Sequence, residues 1–219
     1  MDKIFDNIHN DHSDFNNGSL SDDLSTNNPS TLFKTWYSEA IVKGCIEPNA
    51  MVLSTVDSNS APSSRVVYLK DLSDDGFVFF TNYNSKKGKD IKYNSKVACL
   101  FFWNTLFRQV HIQGIVEKIS EQQSDEYFKT RPRESQIGAW ASQQSKITAN
   151  RTEIEIEYAT INKRYDGQEV PRPPFWGGYI IRPLYIEFWQ GRENRLHDRI
   201  CFIRENVLSD NWKQFRKNP

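Results

Sequence analysis

The sequence has few residues of the kinds that bind metals or form disulfides, and none of them is suitably spaced. Its three cysteines, an odd number without a CxxC pair, are Cys45, Cys99 and Cys201. We therefore expect reduced thiols and a cytoplasmic protein. The four histidines show no metal-ligand spacing, and HExxH is absent. The sequence predicts no metal cofactor.

Several motifs of common enzyme classes are also missing. GxGxxG, GxxxxGK[ST] and GxSxG do not occur, which argues against Rossmann dinucleotide binding, P-loop chemistry and serine hydrolysis. No apolar run is long enough to cross a bilayer, and the N-terminus lacks the apolar segment of a secretory signal. We expect no membrane association.

Charge is balanced overall but unevenly distributed. The formal net charge is zero, yet residues 1–30 hold six acidic residues and one basic residue. The remainder carries 27 basic and 22 acidic residues, a net charge of +5. Such a modest excess suits small anionic ligands and is too weak and scattered to indicate nucleic acid.

The chain divides into a polar segment and one folded domain. Residues 1–29 are rich in Asn, Asp and Ser and are interpreted as a mobile N-terminal arm. Residues 30–219 contain six or more short β-rich runs separated by turn residues. Together with helices inserted between them, these runs predict a mainly β fold, a small antiparallel barrel with helical additions.

Besides the short helix that follows the basic loop in "NSKKGKDIKYN", the sequence predicts four helical segments. "NPSTLFKTWYSEAIVKG" begins a helix at Pro29, and Ser120 with Gln123 predicts a capping box in "SEQQSDEYFKTRP". "SQIGAWASQQS" and "RTEIEIEYATINKRY" are also interpreted as helical. The last third returns to strands, including one predicted to start at Arg195 in "RLHDRICFIREN".

The first cluster of candidate binding residues is "SSRVVYLK". Strand alternation assigns its side chains to two faces, with Arg65, Val67 and Leu69 on one and Val66, Tyr68 and Lys70 on the other. The alternative is an ordinary strand with charged ends.

The second cluster is "TNYNSKKGKD", where a loop enters a helix. The exposed amides of a helix start, together with Lys86 and Lys87, would form a phosphate-binding cradle. The alternative is a solvated basic loop.

The third cluster consists of three residues spaced four apart in the sequence. Tyr127, Arg131 and Ser135 are suitable donors for a phosphate dianion, and arginine can bind two oxygens at once. Pro132 indicates a helix end followed by a loop. The alternative is a charged last helical turn.

The fourth cluster is "IEFWQGRENRLHDR". In the predicted strand, Arg195, His197 and Arg199 alternate onto one face, where they repel one another unless an anion or a π-surface lies opposite. The alternative is an exposed face screened by acidic neighbours, which the nearby Trp189 makes less favourable.

These segments occur in an order that resembles one known family. "RVVYLK", "FRQV", "YFKTRPRESQIGAWASQQS", "FWGG" and "IEFWQGRENRLHDR" are similar to motifs of the pyridoxine (pyridoxamine) 5′-phosphate oxidases, from about residue 30 to the end. The resemblance implies a homodimeric split barrel with FMN at the subunit interface. It implies oxidation of pyridoxine or pyridoxamine 5′-phosphate to pyridoxal 5′-phosphate, with O2 reduced to H2O2.

The resemblance also implies two sets of site residues. The FMN set is Arg65, Val66, Val67, Tyr68, Leu69, Lys70, Phe80, Thr81, Lys86, Lys87, Gln109, Gln144, Ser145, Trp189 and Arg199. The substrate set is Lys70, Tyr127, Arg131, Ser135, Arg195, Leu196 and His197. Arg195 and His197 are the expected catalytic residues: Arg195 would clamp the pyridine ring, and His197 would orient the substrate or assist proton movement. Arg199 would place positive charge near the pyrimidine end of the flavin.

The sequence departs from the family pattern in places, and other functions remain open. The family usually ends in Arg-Leu-Ala-Pro, whereas this chain ends in "RKNP", with Lys217 and Asn218 at the two middle positions. Lys86 stands where Arg is common. The alternatives are another flavin oxidase on the same barrel, of the phenazine-pathway type, and a non-catalytic flavin- or haem-binding protein.

Overall fold

The computed structural model describes Phe15, residues 18–22 and residues 28–219. Most of the predicted mobile arm lies outside these residues. Within the arm, Phe15 packs edge-on against Phe107, with ring centroids 4.7 Å apart, and Leu20 is buried. The described part of the arm therefore contacts the folded domain.

The described chain forms nine strands and five α-helices. The helices are α1 (Pro29–Val42), α2 (Lys86–Tyr93), α3 (Glu121–Lys129), α4 (Arg133–Ala141) and α5 (Arg151–Arg164). The strands are β1 (Ala50–Val56), β2 (Pro62–Tyr68), β3 (Asp71–Ser73), β4 (Gly76–Asn82), β5 (Lys96–Trp103), β6 (Arg108–Lys118), β7 (Trp176–Gln190), β8 (Asp198–Ile203) and β9 (Lys213–Arg216).

Strand β7 organises the sheet. The strands follow the order β2-β1-β5-β6-β7-β4-β3, and every pairing is antiparallel. One edge of β7 pairs with β6, while its other edge pairs first with β4 and then with β8, which in turn pairs with β9. The end of β2 is tied back to β4 where Lys70 N donates to Val78 O at 2.8 Å. This arrangement confirms the predicted antiparallel split barrel with inserted helices.

Two hydrophobic clusters stabilise the fold. The larger fills the barrel, where Phe33 and Trp36 of α1 pack against strand residues such as Phe101 and Phe188. The smaller lies beneath α3, α4 and α5 and includes Phe128, Ile137, Ile161 and Trp176. Trp176 begins β7 and so joins the helical layer to the sheet.

Two of the predicted elements are wrong in part. The strand predicted from Arg195 begins only at Asp198, because Glu193–Arg195 forms a 3₁₀ turn in which Asn194 and Arg195 have φ of 56° and 59°. The helix predicted over "SQIGAWASQQS" ends at Ala141. The capping box at Ser120 and the helix break at Pro132 are confirmed.

The remaining general expectations concern thiols, metals and membranes. Cys45, Cys99 and Cys201 are all free and buried. Within the described ranges, no group of three or more potential metal ligands occurs. In the same ranges, no helix combines the length and apolarity needed to span a bilayer.

Candidate functional site

A cavity of about 700 Å³ lies where the end of β2, β4 and helices α3 and α4 meet. It brings together residues from three of the four clusters found in the sequence. Its lining includes Val66, Val67, Tyr68, Lys70, Phe80, Thr81, Asn82, Lys87, Tyr127, Thr130, Arg131, Pro132, Ser135, Gly138, Ala139, Ser142, Gln144 and Trp176.

Three stacked aromatic rings form one wall of this cavity. Phe80 lies 3.8 Å from Tyr127 and 5.4 Å from Trp176, measured between ring centroids, and the latter two lie 6.2 Å apart; all three planes are nearly parallel. Gly178 pairs with Phe80 from β7, where a Cβ would lie 2.3 Å from the Ile119 side chain and 2.9 Å from the Phe80 ring. The wall is therefore rigid, flat and apolar.

Arg131 extends over this wall with part of its hydrogen-bonding capacity unused. Its guanidinium carbon lies 4.6 Å from the Trp176 ring centroid, a cation–π arrangement. Its buried Nη1 has no hydrogen-bond partner among the residues that the structure describes. Burial lowers the pKa of Arg131, although the nearby Tyr127 opposes this shift. A buried, unpaired donor costs stability, which points to an anion as the missing partner.

Lys87 supplies a second buried cation in the same cavity. Ser85 caps the N-terminus of α2 by accepting a hydrogen bond from Gly88 N, and Lys87 lies in the first turn. The Lys87 ammonium donates to Thr81 Oγ1 at 3.3 Å and to Gln144 Oε1 at 3.2 Å, and the residue is only 7% exposed. Burial, with a smaller effect of Arg65, lowers its pKa to about 8. No carboxylate lies within 4.0 Å of this ammonium among the described residues.

Lys86 is placed differently from its neighbour. Its ammonium pairs with both oxygens of the buried Asp90 at 3.1 Å and with Asp57 at 3.7 Å, and it does not line the cavity. The Arg65 guanidinium is likewise held by the sheet, since it donates to Leu53 O and to Thr55 Oγ1, and Arg65 does not line the cavity. Lys86 and Arg65 thus support the cavity wall, whereas Lys87 reaches into the cavity.

The fourth cluster lies elsewhere, on the outer face of the sheet. Gln109, Trp189 and Arg199 are direct neighbours across β6, β7 and β8 and are called the Trp189 row below. Arg199 forms a two-pronged ion pair with Glu187, which is 4% exposed. The row therefore offers an aromatic surface beside an amide and a guanidinium.

His197 and Arg195 lie in the loop next to this row. The Nδ1 atom of His197 accepts a hydrogen bond from Arg192 N at 3.1 Å, so the neutral ring carries its proton on Nε2. The His197 ring lies 4.7 Å from that of Trp189 and 5.6 Å from that of Phe15. Burial and the charge of Arg195 lower the pKa of His197, which keeps the ring neutral near pH 7.

The expectation that Arg195, His197 and Arg199 alternate along one strand is therefore wrong. Arg199 is a strand residue, whereas Arg195 occupies a left-handed turn and its side chain is exposed. Leu196 between them is also exposed. The loop places the cation and the imidazole at the rim of the Trp189 row, where their spacing does not depend on the strand repeat.

The cavity and the Trp189 row lie at opposite ends of β7. Trp176 lines the cavity and Trp189 centres the row, which separates them by roughly 40 Å of extended chain at about 3.3 Å per residue. The described chain thus carries two separate groups of candidate residues, called the two half-sites below: one has the buried Lys87 and the half-buried Arg131, the other an exposed arginine and a neutral histidine.

Most of the residues implied by the resemblance fall into one of these half-sites. The cavity holds Val66, Val67, Tyr68, Lys70, Phe80, Thr81, Lys87, Tyr127, Arg131, Ser135 and Gln144. Arg65, Leu69, Lys86 and Ser145 do not line it; Leu69 is buried in the barrel core, and Ser145 is exposed with φ of 71°.

Sequence reasoning missed Trp176, Asp90 and Glu187 as parts of the site. Trp176 belongs to the quoted "FWGG" motif and Glu187 to "IEFWQ", so both had a local signal. Asp90 ends the quoted "TNYNSKKGKD" and lies four residues after Lys86, so their ion pair also had a local signal, whereas the contacts of Asp90 with Thr55 and Ser63 come from distant strands.

The low pKa of Lys87 leads to a testable pH dependence. A bound phosphate would favour the charged ammonium, so binding above pH 8 requires proton uptake. For the FMN that the sequence resemblance implies, we expect the affinity to fall above pH 8, by up to about tenfold per pH unit. Isothermal titration at several pH values measures this. Lys89→Met, which replaces a lysine on the exposed face of α2, should keep the same change of FMN affinity with pH. Lys87→Met should bind FMN weakly, and its affinity should no longer depend on pH above 8. An unchanged pH dependence in Lys87→Met would assign the titration to another group.

Sequence models of known families match most of the chain. Residues 37–165 match "Pyridoxamine 5′-phosphate oxidase", and residues 176–219 match "Pyridoxine 5′-phosphate oxidase C-terminal dimerisation region". The chain is 48% identical over 206 residues to the pyridoxine/pyridoxamine 5′-phosphate oxidase of Rubrobacter xylanophilus, covering 94% of each chain. It is 50% identical over 200 residues to the enzyme of the same name from Leptospira biflexa, covering 91% of this chain and 93% of the relative.

Solved structures give the same result for the fold. The structure of PhzG from Burkholderia lata in complex with tetrahydrophenazine-1-carboxylic acid superposes on this chain with a TM-score of 0.83 and 29% sequence identity. The match covers 92% of this chain and 100% of the PhzG chain. A pyridoxamine 5′-phosphate oxidase-related, FMN-binding protein from Nostoc punctiforme, 14% identical, has a TM-score of 0.67 over 85% of this chain and 97% of its own. The protein thus has the split-barrel fold of these structures. It belongs to the pyridoxamine 5′-phosphate oxidase family.

Proposed function

We propose that the protein is an FMN-dependent oxidase that converts pyridoxine 5′-phosphate or pyridoxamine 5′-phosphate to pyridoxal 5′-phosphate. The observation that carries this proposal is the cavity with two cations on separate segments of the chain, the buried Lys87 and the half-buried Arg131. A flavin mononucleotide and a phosphorylated substrate each bring one phosphate. Two separate cationic positions suit such a pair of ligands, and the family membership supports the same assignment.

Lys87 and its neighbours have the donor chemistry that an FMN phosphate requires. The ammonium is buried at the start of α2, where helix amides add positive potential, and it is held by Thr81 and Gln144. When bound, FMN would accept a hydride from the C4′ carbon of the substrate and deliver two electrons to O2. Val66, Val67 and Tyr68 of β2 would border the flavin along the cavity.

Arg131 is the natural partner of the substrate phosphate. Arg131, Tyr127, Ser135 and Lys70 all border the same cavity, and Nη1 of Arg131 has no partner within the described chain. Stacking on Trp176 fixes the guanidinium plane, so less conformational freedom is lost when an anion binds. This set would select phosphorylated over unphosphorylated pyridines.

The two half-sites are proposed to meet across a homodimer. Reaction requires the pyridine ring to stack closely on the flavin, with reacting atoms about 3–3.5 Å apart. The Trp189 row and Arg195 lie at the far end of β7 from the cavity, so a second copy would bring them to it. The outer sheet face also exposes apolar side chains suited to such an interface, namely Val52, Val66, Phe102 and Ile203.

In this arrangement the loop residues would act on the substrate ring. The planar Arg195 guanidinium would cover the pyridine face and hold C4′ in place. The neutral His197 would orient the substrate through Nε2, since Nδ1 is occupied by Arg192 N. Arg199 would place positive charge beside the flavin. Oxidation of the alcohol with O2 yields the aldehyde and H2O2; oxidation of the amine consumes one water in addition and releases ammonia.

Product analysis in air tests the proposal. With pyridoxamine 5′-phosphate and FMN, we expect pyridoxal 5′-phosphate and H2O2 in equal amounts. Unphosphorylated pyridoxamine should react with kcat/KM lower by on the order of 100-fold, because the contacts to Arg131 are lost. Equal rates with and without the phosphate would contradict the assigned role of the Arg131 set.

A second candidate is oxidation of a phenazine precursor on the same barrel. The likeness to PhzG, at a TM-score of 0.83 and 29% identity, favours it. Tetrahydrophenazine-1-carboxylic acid carries no phosphate, so this function leaves Arg131 and its neighbours without the phosphate dianion that their donors suit. Turnover of that acid with no turnover of pyridoxamine 5′-phosphate would select this candidate instead.

A further inference from the structure

Lys217 extends the Trp189 row by one strand. Its backbone N–H donates to Arg199 O at 3.0 Å, which makes the two residues neighbours across β8 and the end of β9. Both side chains reach the same carboxylate, since Glu187 lies 2.8 Å from the Arg199 guanidinium and 3.7 Å from the Lys217 ammonium. Two like charges on facing positions would otherwise repel each other.

A hydroxyl joins Lys217 to this carboxylate. The Lys217 ammonium donates to Tyr185 Oη at 2.8 Å, and that hydroxyl donates to Glu187 Oε2. The ammonium also lies 4.7 Å from the Tyr185 ring centroid. Burial alone would raise the pKa of Glu187, but hydrogen bonds from Tyr185 and Arg199 and the two cations lower it overall. The carboxylate is therefore charged at neutral pH.

The charge balance of this cluster depends on Lys217. Glu187 holds Arg199 through both of its oxygens, so the two charges together are nearly neutral. His111 faces Glu187 from β6, but burial lowers its pKa and keeps it neutral at pH 7. Within the cluster as described, Lys217 brings the net charge from zero to +1.

We propose that Lys217, acting through Tyr185 and Glu187, is a positioning residue that fixes Arg199 and keeps the flavin side of the Trp189 row positive. The inference rests on the proposed function, because it requires FMN beside Arg199. A positive neighbour favours the reduced, more negative flavin over the oxidised one. Arg199 alone, neutralised by Glu187, would do so less well.

The test is the reduction potential of bound FMN, measured by anaerobic spectroscopic titration of the holoenzyme. In Lys217→Leu, we expect the preference for reduced over oxidised FMN to fall about tenfold, which is about 30 mV for a two-electron couple. Lys217→Arg should restore the wild-type value. Tyr185→Phe, which leaves the charge unchanged but removes the link, should shift the potential in the same direction by less.

Lys213→Leu is the matched control. Lys213 is exposed on the same strand, four residues before Lys217, and its replacement removes the same charge. Its potential should stay at the wild-type value. An unshifted potential in Lys217→Leu, or an equal shift in Lys213→Leu, would overturn the inference and leave the proposed function standing. Failure of the wild-type protein to bind FMN would overturn both.

Discussion

Replacing Arg195 with alanine is expected to leave FMN bound while lowering kcat/KM by on the order of 100-fold, the loss typical of a misplaced substrate. Arg195 is exposed in a left-handed turn, so the fold does not depend on its side chain. It lies beside His197 and the Trp189 row, where a planar cation can cover a pyridine ring. The flavin absorbance band and steady-state kinetics report the two effects separately.

The conservative variant Arg195→Lys separates charge from shape. Lysine keeps the positive charge but cannot lie flat over a ring, so we expect it to recover only a small part of the lost rate. Full recovery would mean that the residue acts through charge alone. Loss of the flavin band in Arg195→Ala would instead assign Arg195 to the cofactor.

Arg131→Met should raise the KM for pyridoxamine 5′-phosphate by on the order of 100-fold, which corresponds to about 3 kcal/mol of lost charged hydrogen bonds. Arg131→Met removes the cation–π contact with Trp176 but also a buried donor without a partner within the described chain, so we expect little change in the free energy of unfolding of the ligand-free protein. Kinetics and denaturant unfolding together test this combination.

Arg133→Met provides the contrast two residues away. Its guanidinium donates to Gln168 O and Tyr165 O outside the cavity that holds Arg131. We expect this variant to lose about 1 kcal/mol of stability with the KM unchanged. If Arg131→Met proved as unstable as Arg133→Met while binding substrate normally, the role assigned to Arg131 would be structural.

The same two sites allow a test of the proposed dimer. Arg131 borders the cavity, whereas Arg195 lies near the other end of β7. If each active site takes one residue from each protomer, mixing Arg131→Met with Arg195→Ala should restore about a quarter of the wild-type sites after random subunit exchange. No recovery after confirmed exchange would place both residues of a site in one chain.

The strands were predictable because their signals are local. Alternating apolar residues bounded by turns located β1, β2 and β4 through β7, and Ser120 with Gln123 marked the start of α3. The loop around Arg195 was not predictable, because the positive φ values of Asn194 and Arg195 fall where the residue pattern continues to alternate as in a strand. Period-two spacing there imitates a strand.

The residues of the site were found more readily than their arrangement. Motif order brought Lys87, Arg131 and Gln144 to attention, and the structure places all three around one cavity. Motif order did not reveal that Lys86 forms an ion pair with Asp90 across one helical turn. The Asp90 carboxylate also accepts hydrogen bonds from Thr55 and Ser63 of the sheet. The separation of the two half-sites along β7 likewise depends on which strands pair, and the order of motifs in the sequence does not predict that pairing.

The visible spectrum of the purified holoenzyme without oxygen tests the central claim most directly. We expect the flavin band to bleach when pyridoxamine 5′-phosphate is added, and to return in air together with pyridoxal 5′-phosphate. A bound flavin whose band stays unchanged with this substrate would contradict the proposed oxidase.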